Sequence, residues 1–260
     1  MASIKDAVEE TITDSNAILK IVFYTLPLYI CAQSVISGVK PNSGLLLIGI
    51  LFSSILLFGF MLKCTMNVAS EDSTVLPSFN ILQVFFIGLK GAIVLLPIAL
   101  LSKIFGTLCV GFLANAPLPP NLILIFSWII WIIFASFVYT GYLLYTRRAK
   151  VFDAYNISAI SKYCIDIFLG VVFMKFLIAI IDLILIAPVG YFIWLFLGFD
   201  NPISIFFLCA VAVFNIGLMG HYMAQMAYEI IAIDEEEKAE DAELARLEKE
   251  RLEKIKNNNL

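Results

Sequence analysis

The sequence predicts an all-α polytopic membrane protein with six transmembrane helices. Of its 260 residues, 61% are hydrophobic and 15% are charged, and the mean hydropathy is +0.95. Soluble domains contain about 45–50% apolar and about 25% charged residues. The composition therefore excludes an ordinary water-soluble enzyme. It also excludes a disordered chain, which would be poor in apolar residues.

Six apolar stretches are long enough to cross a hydrocarbon core of ~30 Å, which requires ~20 helical residues. They are Ala17–Gly38, Gly44–Ala69, Ile81–Leu113, Leu122–Thr146, Tyr163–Leu197 and Ile203–Tyr228. The third and fifth are too long for one upright helix, so we expect each to join an interfacial stretch to a tilted or kinked span. Pro97 and Pro188 are the expected kink points, because proline lacks the amide donor of a regular helix.

The spans are expected to pair as three helical hairpins, each turning at a cluster of proline and asparagine. The second helix of each hairpin ends in a glycine followed by a ring, at Gly59-Phe60, Gly141-Tyr142 and Gly220-His221-Tyr222. These glycines lie 82 and 79 residues apart. We interpret the period as a threefold repeat with units 17–76, 77–154 and 155–228 of the membrane domain, residues 17–228. The alternative is a six-helix protein whose short loops simply favour proline and asparagine.

Both ends of the chain are expected to lie on the cytoplasmic side. Residues 1–16 predict an amphipathic helix on the inner membrane surface, opened by Ser3 with Asp6 three residues later. Residues 229–260 predict a charged helix. Lysine and arginine gather on the side of the two termini, and cytoplasmic loops carry this positive excess. We therefore expect a multi-pass protein of the cell (inner) membrane with both termini in the cytoplasm.

Charged side chains within the spans are candidates for a functional site, because charges are costly in hydrocarbon. Lys103, Lys175 and Asp182 are candidates for lining a polar path between the hairpins. The alternative interpretation is structural. In that case the lysines extend to the lipid headgroups, and Asp182 binds a lysine or an asparagine of a neighbouring helix.

A basic cluster follows the fourth span and is expected to contact anionic lipid headgroups, at ~1 kcal/mol for each basic residue. Its members are Arg147, Arg148 and Lys150.

The C-terminal tail is the most specific feature. Residues 234–256 contain ten acidic and six basic residues, which accounts for the whole net charge of -4. One face of the predicted helix carries an apolar stripe within roughly 140°. The stripe consists of Leu244, Leu247, Leu252 and Ile255. It predicts a coiled-coil contact with a partner helix, from either a second copy or a cytosolic protein, whereas a solvated helix with no partner is the alternative.

No motif predicts catalysis, a cofactor, a metal ion or a nucleic-acid partner. The five cysteines are widely spaced and form no CxxC pair, and no nucleophile–base motif is present. The single histidine, His221, is expected to replace an interfacial aromatic ring rather than to act as a base.

Several short motifs resemble the prokaryotic family of multi-span proteins known as domain of unknown function 4013. They are Gly59-Phe60, Glu71-Asp72, Leu76-Pro77-Ser78-Phe79 and Gly88-Leu89-Lys90, with a degenerate second copy at Gly141-Tyr142 and Ala154-Tyr155-Asn156. The resemblance covers residues 45–190. It implies a bacterial or archaeal membrane protein of several helices, and it transfers no activity and no catalytic residue.

The sequence thus favours a non-enzymatic structural or accessory subunit that anchors or recruits a partner through its C-terminal helix. The alternative is a small-solute or ion transporter or channel with a polar path between the hairpins. A membrane enzyme acting on lipids is the third and weakest interpretation.

Overall fold

The computed structural model describes residues 3–38, 44–72 and 74–232, together with residues 243, 244 and 246. Every regular element in this part of the chain is helical. The long helices are α1 (Ile4–Thr13), α2 (Ala17–Ile36), α3 (Gly44–Ala69), α4 (Ile81–Ala114), α5 (Pro120–Arg148), α6 (Ile157–Ile181), α7 (Ala187–Leu197) and α8 (Pro202–Ala227). Six stretches of helix are long and apolar enough to cross a membrane. For the described residues, the all-helical class and the presence of six helices long and apolar enough to span are therefore confirmed.

Polar side chains start several of these helices by accepting hydrogen bonds from amides of the first turn. Ser3 Oγ accepts from Asp6 N at 3.2 Å, as the sequence predicts for α1. Asn80 caps α4 and Asn156 caps α6, each at 3.1 Å. These amides have no partner within the helix, so each cap satisfies one of them.

The two longest apolar stretches are continuous helices. α4 contains 34 residues and passes through Pro97 without interruption, so it is about 51 Å long at 1.5 Å per residue. The fifth stretch begins at Ile157, earlier than expected, and runs through α6 and α7. Between them lies a π-helical segment, Asp182–Ile186, which ends two residues before Pro188. The wider turn suits this position, since proline removes an amide donor and crowds the preceding turn.

α8 lies at the centre of the bundle. It packs against α1, α2, α3, α5, α6 and α7, and thirteen of its 26 residues are buried. α5 differs, because residues 120–135 include no buried residue, whereas residues 140–146 are all buried. The helices are thus packed most tightly at the end where α1 and the end of α8 lie.

The glycines of the proposed repeat are points of close helix contact. A Cβ atom at Gly59 would collide with the backbone of Val84 and Gly88 on α4, and one at Gly220 would lie 2.8 Å from Met61 O on α3. The rings that follow the three glycines are all buried. Close packing therefore explains the glycine–ring pattern without a repeat. α3 also packs more extensively on α4 and α8 than on α2, so the three hairpins and the repeat stay predictions.

Candidate functional site

The most deeply buried charged groups in the described part of the chain form an ion pair between Asp14 and Lys20. Lys20 Nζ lies 2.6 Å from Asp14 Oδ1, and the two side chains are 6% and 0% exposed, respectively. Lys20 Nζ also donates to Leu76 O at 3.2 Å, and Leu76 N donates to Asp14 Oδ2 at 2.5 Å. The ion pair therefore holds the connection between α3 and α4 against the start of α2.

Two further contacts fix this connection. Tyr24 Oη donates to Ser78 O at 2.5 Å, and Asn67 Nδ2 donates to Val75 O at 3.2 Å. The side chain of Leu76 is completely buried. The Leu-Pro motif of this loop thus has a packing role, because it is the part of the loop that enters the core.

Helix α1 and its N-cap residue are attached to α8 by polar contacts. His221 Nε2 lies 2.7 Å from Glu10 Oε2, and the histidine side chain is 1% exposed. Ser3 N donates to Gln225 Oε1 at 2.7 Å. His221 is therefore a buried, bonded residue rather than the interfacial ring that we expected. The residues next to His221 in the sequence do not indicate its partner, because Glu10 is 211 residues away.

A buried hydroxyl group joins three spanning helices at Gly220, the residue before His221. Thr65 Oγ1 on α3 lies 2.6 Å from Tyr142 Oη on α5 and 2.9 Å from the carbonyl oxygen of Gly220 on α8. Buried hydroxyl groups need such partners, because an unpaired one costs free energy in an apolar interior. The layer formed by Thr65, Tyr142 and Gly220 therefore specifies how α3, α5 and α8 meet.

A cavity of about 320 Å³, lined by both apolar and charged residues, opens between the ends of α1, α3, α5 and α8. Its charged lining consists of Asp6, Glu71, Arg147 and Glu229. Arg147 of the predicted lipid-binding cluster thus lies in the cavity wall and is half-buried, whereas Lys150 is exposed. The side chain of Arg148 lies outside the described structure.

The three residues of the expected polar path do not bind one another in the described part of the chain. Lys103 on α4 and Lys175 on α6 are exposed. Lys175 Nζ lies 5.6 Å from the centroid of the Tyr139 ring, within the range of a cation–π contact. Asp182 is half-buried at the start of the π-helical segment.

Asp182 binds an asparagine of a neighbouring helix. Asn215 Nδ2 on α8 donates to Oδ1 of Asp182 at 3.1 Å and to Oδ2 at 2.8 Å. This contact corresponds to the structural interpretation of Asp182. The sequence identifies Asp182 as a charged group within a span, but it does not show which asparagine binds it.

The predicted partner-helix face lies almost entirely outside the described residues. Leu244 is helical and 64% exposed, whereas Leu247, Leu252 and Ile255 are outside the described ranges. Among the residues that the structure does describe, no three histidine, cysteine, aspartate or glutamate side chains are grouped to hold a metal ion.

Comparison of the chain with protein-family models, with curated proteins and with solved structures finds no match. The resemblance to the domain of unknown function 4013 therefore stays a prediction from the short motifs alone.

Proposed function

We propose that this chain is a non-enzymatic membrane subunit that anchors or recruits a partner through its C-terminal helix. The observation that carries the proposal is the position of α8. This helix packs against six other helices, and it continues through the π-helical segment Tyr228–Ala232 toward the tail. A tail that begins on the most buried spanning helix is attached firmly to the membrane body, as an anchor requires.

The use of the buried polar groups supports the same proposal. Asp14 binds Lys20, His221 binds Glu10, and Thr65 binds two other helices. Each of these groups joins one element of the bundle to another. Side chains with this role stabilise a fixed body and are not free for turnover of a substrate.

We also propose that both termini are cytoplasmic. The contact between Ser3 N and Gln225 Oε1 brings the start of α1 to the last turn of α8. An even number of spans returns the chain to its starting side. The basic residues Arg147 and Lys150 occur next to this end, which agrees with the positive-inside rule.

Deletion of residues 234–260 tests the proposed anchoring role. We expect the truncated protein to insert and to remain monodisperse in detergent, because α8 keeps its contacts, but to lose a partner that co-purifies with the full chain. Cross-linking of differently tagged copies distinguishes a second copy from another protein. If the same proteins co-purify with the truncated chain and with the full chain, the proposal is contradicted.

A matched pair of variants assigns the effect to the apolar stripe. Alanine substitution of Leu244, Leu247, Leu252 and Ile255 removes the proposed contact. The control, Lys249→Ala with Glu253→Ala, changes the opposite face of the same predicted helix and leaves the net charge unaltered. We expect only the first variant to release the partner.

A transporter or channel is the second candidate, and the position of the Asp182 carboxyl group within an apolar span favours it. A carboxylate within an apolar span is a frequent component of ion and proton pathways. Flux measurements on reconstituted protein test this candidate separately from the tail deletion.

A further inference from the structure

The contact between Asp182 and Asn215 lies well inside the apolar part of the bundle. Asp182 is fifteen residues before the end of α7, and Asn215 is thirteen residues after the start of α8. At 1.5 Å per residue both are about 20 Å from the turn between these helices. A hydrocarbon core is ~30 Å thick, so the carboxyl group lies within it when the two helices span.

The partner of this carboxyl group is neutral. Both of its oxygens accept from the amide nitrogen of Asn215, and no basic group pairs with Asp182 among the described residues. Lys175 is two turns away on the same helix and lies over Tyr139 of α5. On α8 the nearest side chain that can carry a positive charge is His221, which binds Glu10. α7 carries no charged residue.

The asparagine also has an acceptor that is not used. Asn215 Oδ1 is buried and has no hydrogen-bond donor in the described structure. Buried acceptors are normally paired, so an exception needs an explanation. The same amide therefore offers Asp182 a donor group that is bonded and an acceptor group that is vacant.

We propose that Asp182 is a proton-binding site within the membrane and that Asn215 accommodates both of its protonation states. The ionised carboxylate accepts from the amide nitrogen, as observed. A hydronium ion of the aqueous phase gives up one proton and becomes water, and the carboxylate becomes a carboxylic acid. The O–H of the acid donates to Asn215 Oδ1 after the amide turns by half a rotation. No other bond forms or breaks. A lysine or arginine partner would satisfy the ionised state alone, because it has no acceptor.

Protonation at this position changes the contact between two spanning helices. The hydrogen bonds from Asn215 are the side-chain bonds that join the π-helical segment to α8 in the described part of the chain. π-helical turns within α-helices occur frequently at functional sites. Proton uptake therefore replaces a charge-assisted bond with a neutral one where the fifth spanning helix meets α8. This site is independent of the proposed anchoring role of the tail.

Infrared difference spectroscopy of the full chain in lipid nanodiscs tests the proposal. We expect the carbonyl band of a protonated carboxyl group to titrate with pH in the wild type and to be lost in Asp182→Asn. The control, Asp166→Asn, changes another acidic residue of the same spanning helix and should keep the band. Asn215→Leu removes a partner from both forms, but the charge-assisted bond to the ionised form is the stronger of the two. The midpoint should therefore move by at least one unit to higher pH in this variant. An unchanged band in Asp182→Asn, or an unchanged midpoint in Asn215→Leu, would overturn the proposal.

A second measurement requires no substitution. A hydrophobic carbodiimide adds to the protonated form of a carboxyl group, and mass spectrometry of the digested protein identifies the modified residue. We expect modification at Asp182 that decreases as the pH rises. Absence of modification at Asp182 at every pH, with modification at other carboxyl groups, would also overturn the proposal. Either result is independent of whether the tail deletion releases a partner.

Discussion

Asp14 and Lys20 form an ion pair of 2.6 Å in which both side chains are almost completely removed from solvent. Removing two charges from water is costly, and the attraction between them compensates only when further hydrogen bonds satisfy their remaining groups. Leu76 supplies such bonds on both sides, as an acceptor for the lysine and a donor to the aspartate. The pair therefore determines where the loop before α4 is held.

We predict that Lys20→Met destabilises the protein by ~3–5 kcal/mol, because it leaves the Asp14 carboxylate buried without a compensating charge. Asp14→Asn with Lys20→Met should be less destabilising than Lys20→Met alone. The apparent melting temperature in detergent measures both effects. The control is Lys63→Met, which removes a looser pair with Asp72 at 4.0 Å between partly exposed side chains.

That exposed pair should contribute less than ~1 kcal/mol. Equal losses of stability in Lys20→Met and Lys63→Met would show that the burial of the Asp14–Lys20 pair does not determine its contribution to stability.

We predict that Gly59→Ala weakens the contact between α3 and α4. The added Cβ would collide with the backbone of Val84 and Gly88, and a backbone cannot move aside as a side chain can. Overpacking of this kind costs ~1–3 kcal/mol. Gly111→Ala is the control, since a Cβ at that position meets nothing within 4 Å. Thermal unfolding should therefore show a larger loss of stability in Gly59→Ala than in Gly111→Ala. A loss of equal size in Gly111→Ala would contradict the explanation.

The sequence predicts those features that depend on neighbouring residues. The length of the apolar stretches predicts six spans, because a segment in lipid must form all of its backbone hydrogen bonds within itself, as a helix does. Ser3 is predicted as the start of α1, since a cap acts within one turn. The sequence predicts that the fifth spanning helix starts at Tyr163, which is too late. Ser161 and Lys162 interrupt the apolar pattern, although the helix continues through them.

Features that depend on distant residues could not be predicted. Lys20 and Leu76 are 56 residues apart, and Glu10 and His221 are 211 apart. Each of these residues is unremarkable in its own segment, so composition and periodicity give no indication of a partner. Asp182 is the intermediate case. Its charge identified it as a candidate, but the choice between a path and a helix contact required the position of Asn215.

We predict that the bond between Glu10 and His221 holds α1 against α8. His221→Phe keeps a ring of the kind found at Phe60 and Tyr142 but removes the nitrogen that binds Glu10. Hydrogen exchange should therefore become faster in the amides of α1, while exchange in α3 stays unchanged. Glu9→Gln is the control, because Glu9 is the exposed neighbour of Glu10. If exchange in α1 is the same in His221→Phe and in the wild type, then the Ser3–Gln225 contact and the buried residues Ala7 and Thr11 hold the helix without this bond.

The position of the lysines leads to a last prediction, about flux. Lys103 and Lys175 are exposed and bind neither Asp182 nor each other, whereas Asp182 is bonded between two spanning helices. If the protein conducts protons, Asp182→Asn should abolish the flux in proteoliposomes that carry a pH-sensitive dye. Lys103→Met and Lys175→Met should each retain at least half of it, because neither lysine belongs to the bonded pair. A loss in either lysine variant that equals the loss in Asp182→Asn would instead indicate a path lined by all three residues. Absence of flux in the wild type would exclude proton transport and leave the anchoring role, which the tail deletion tests by itself.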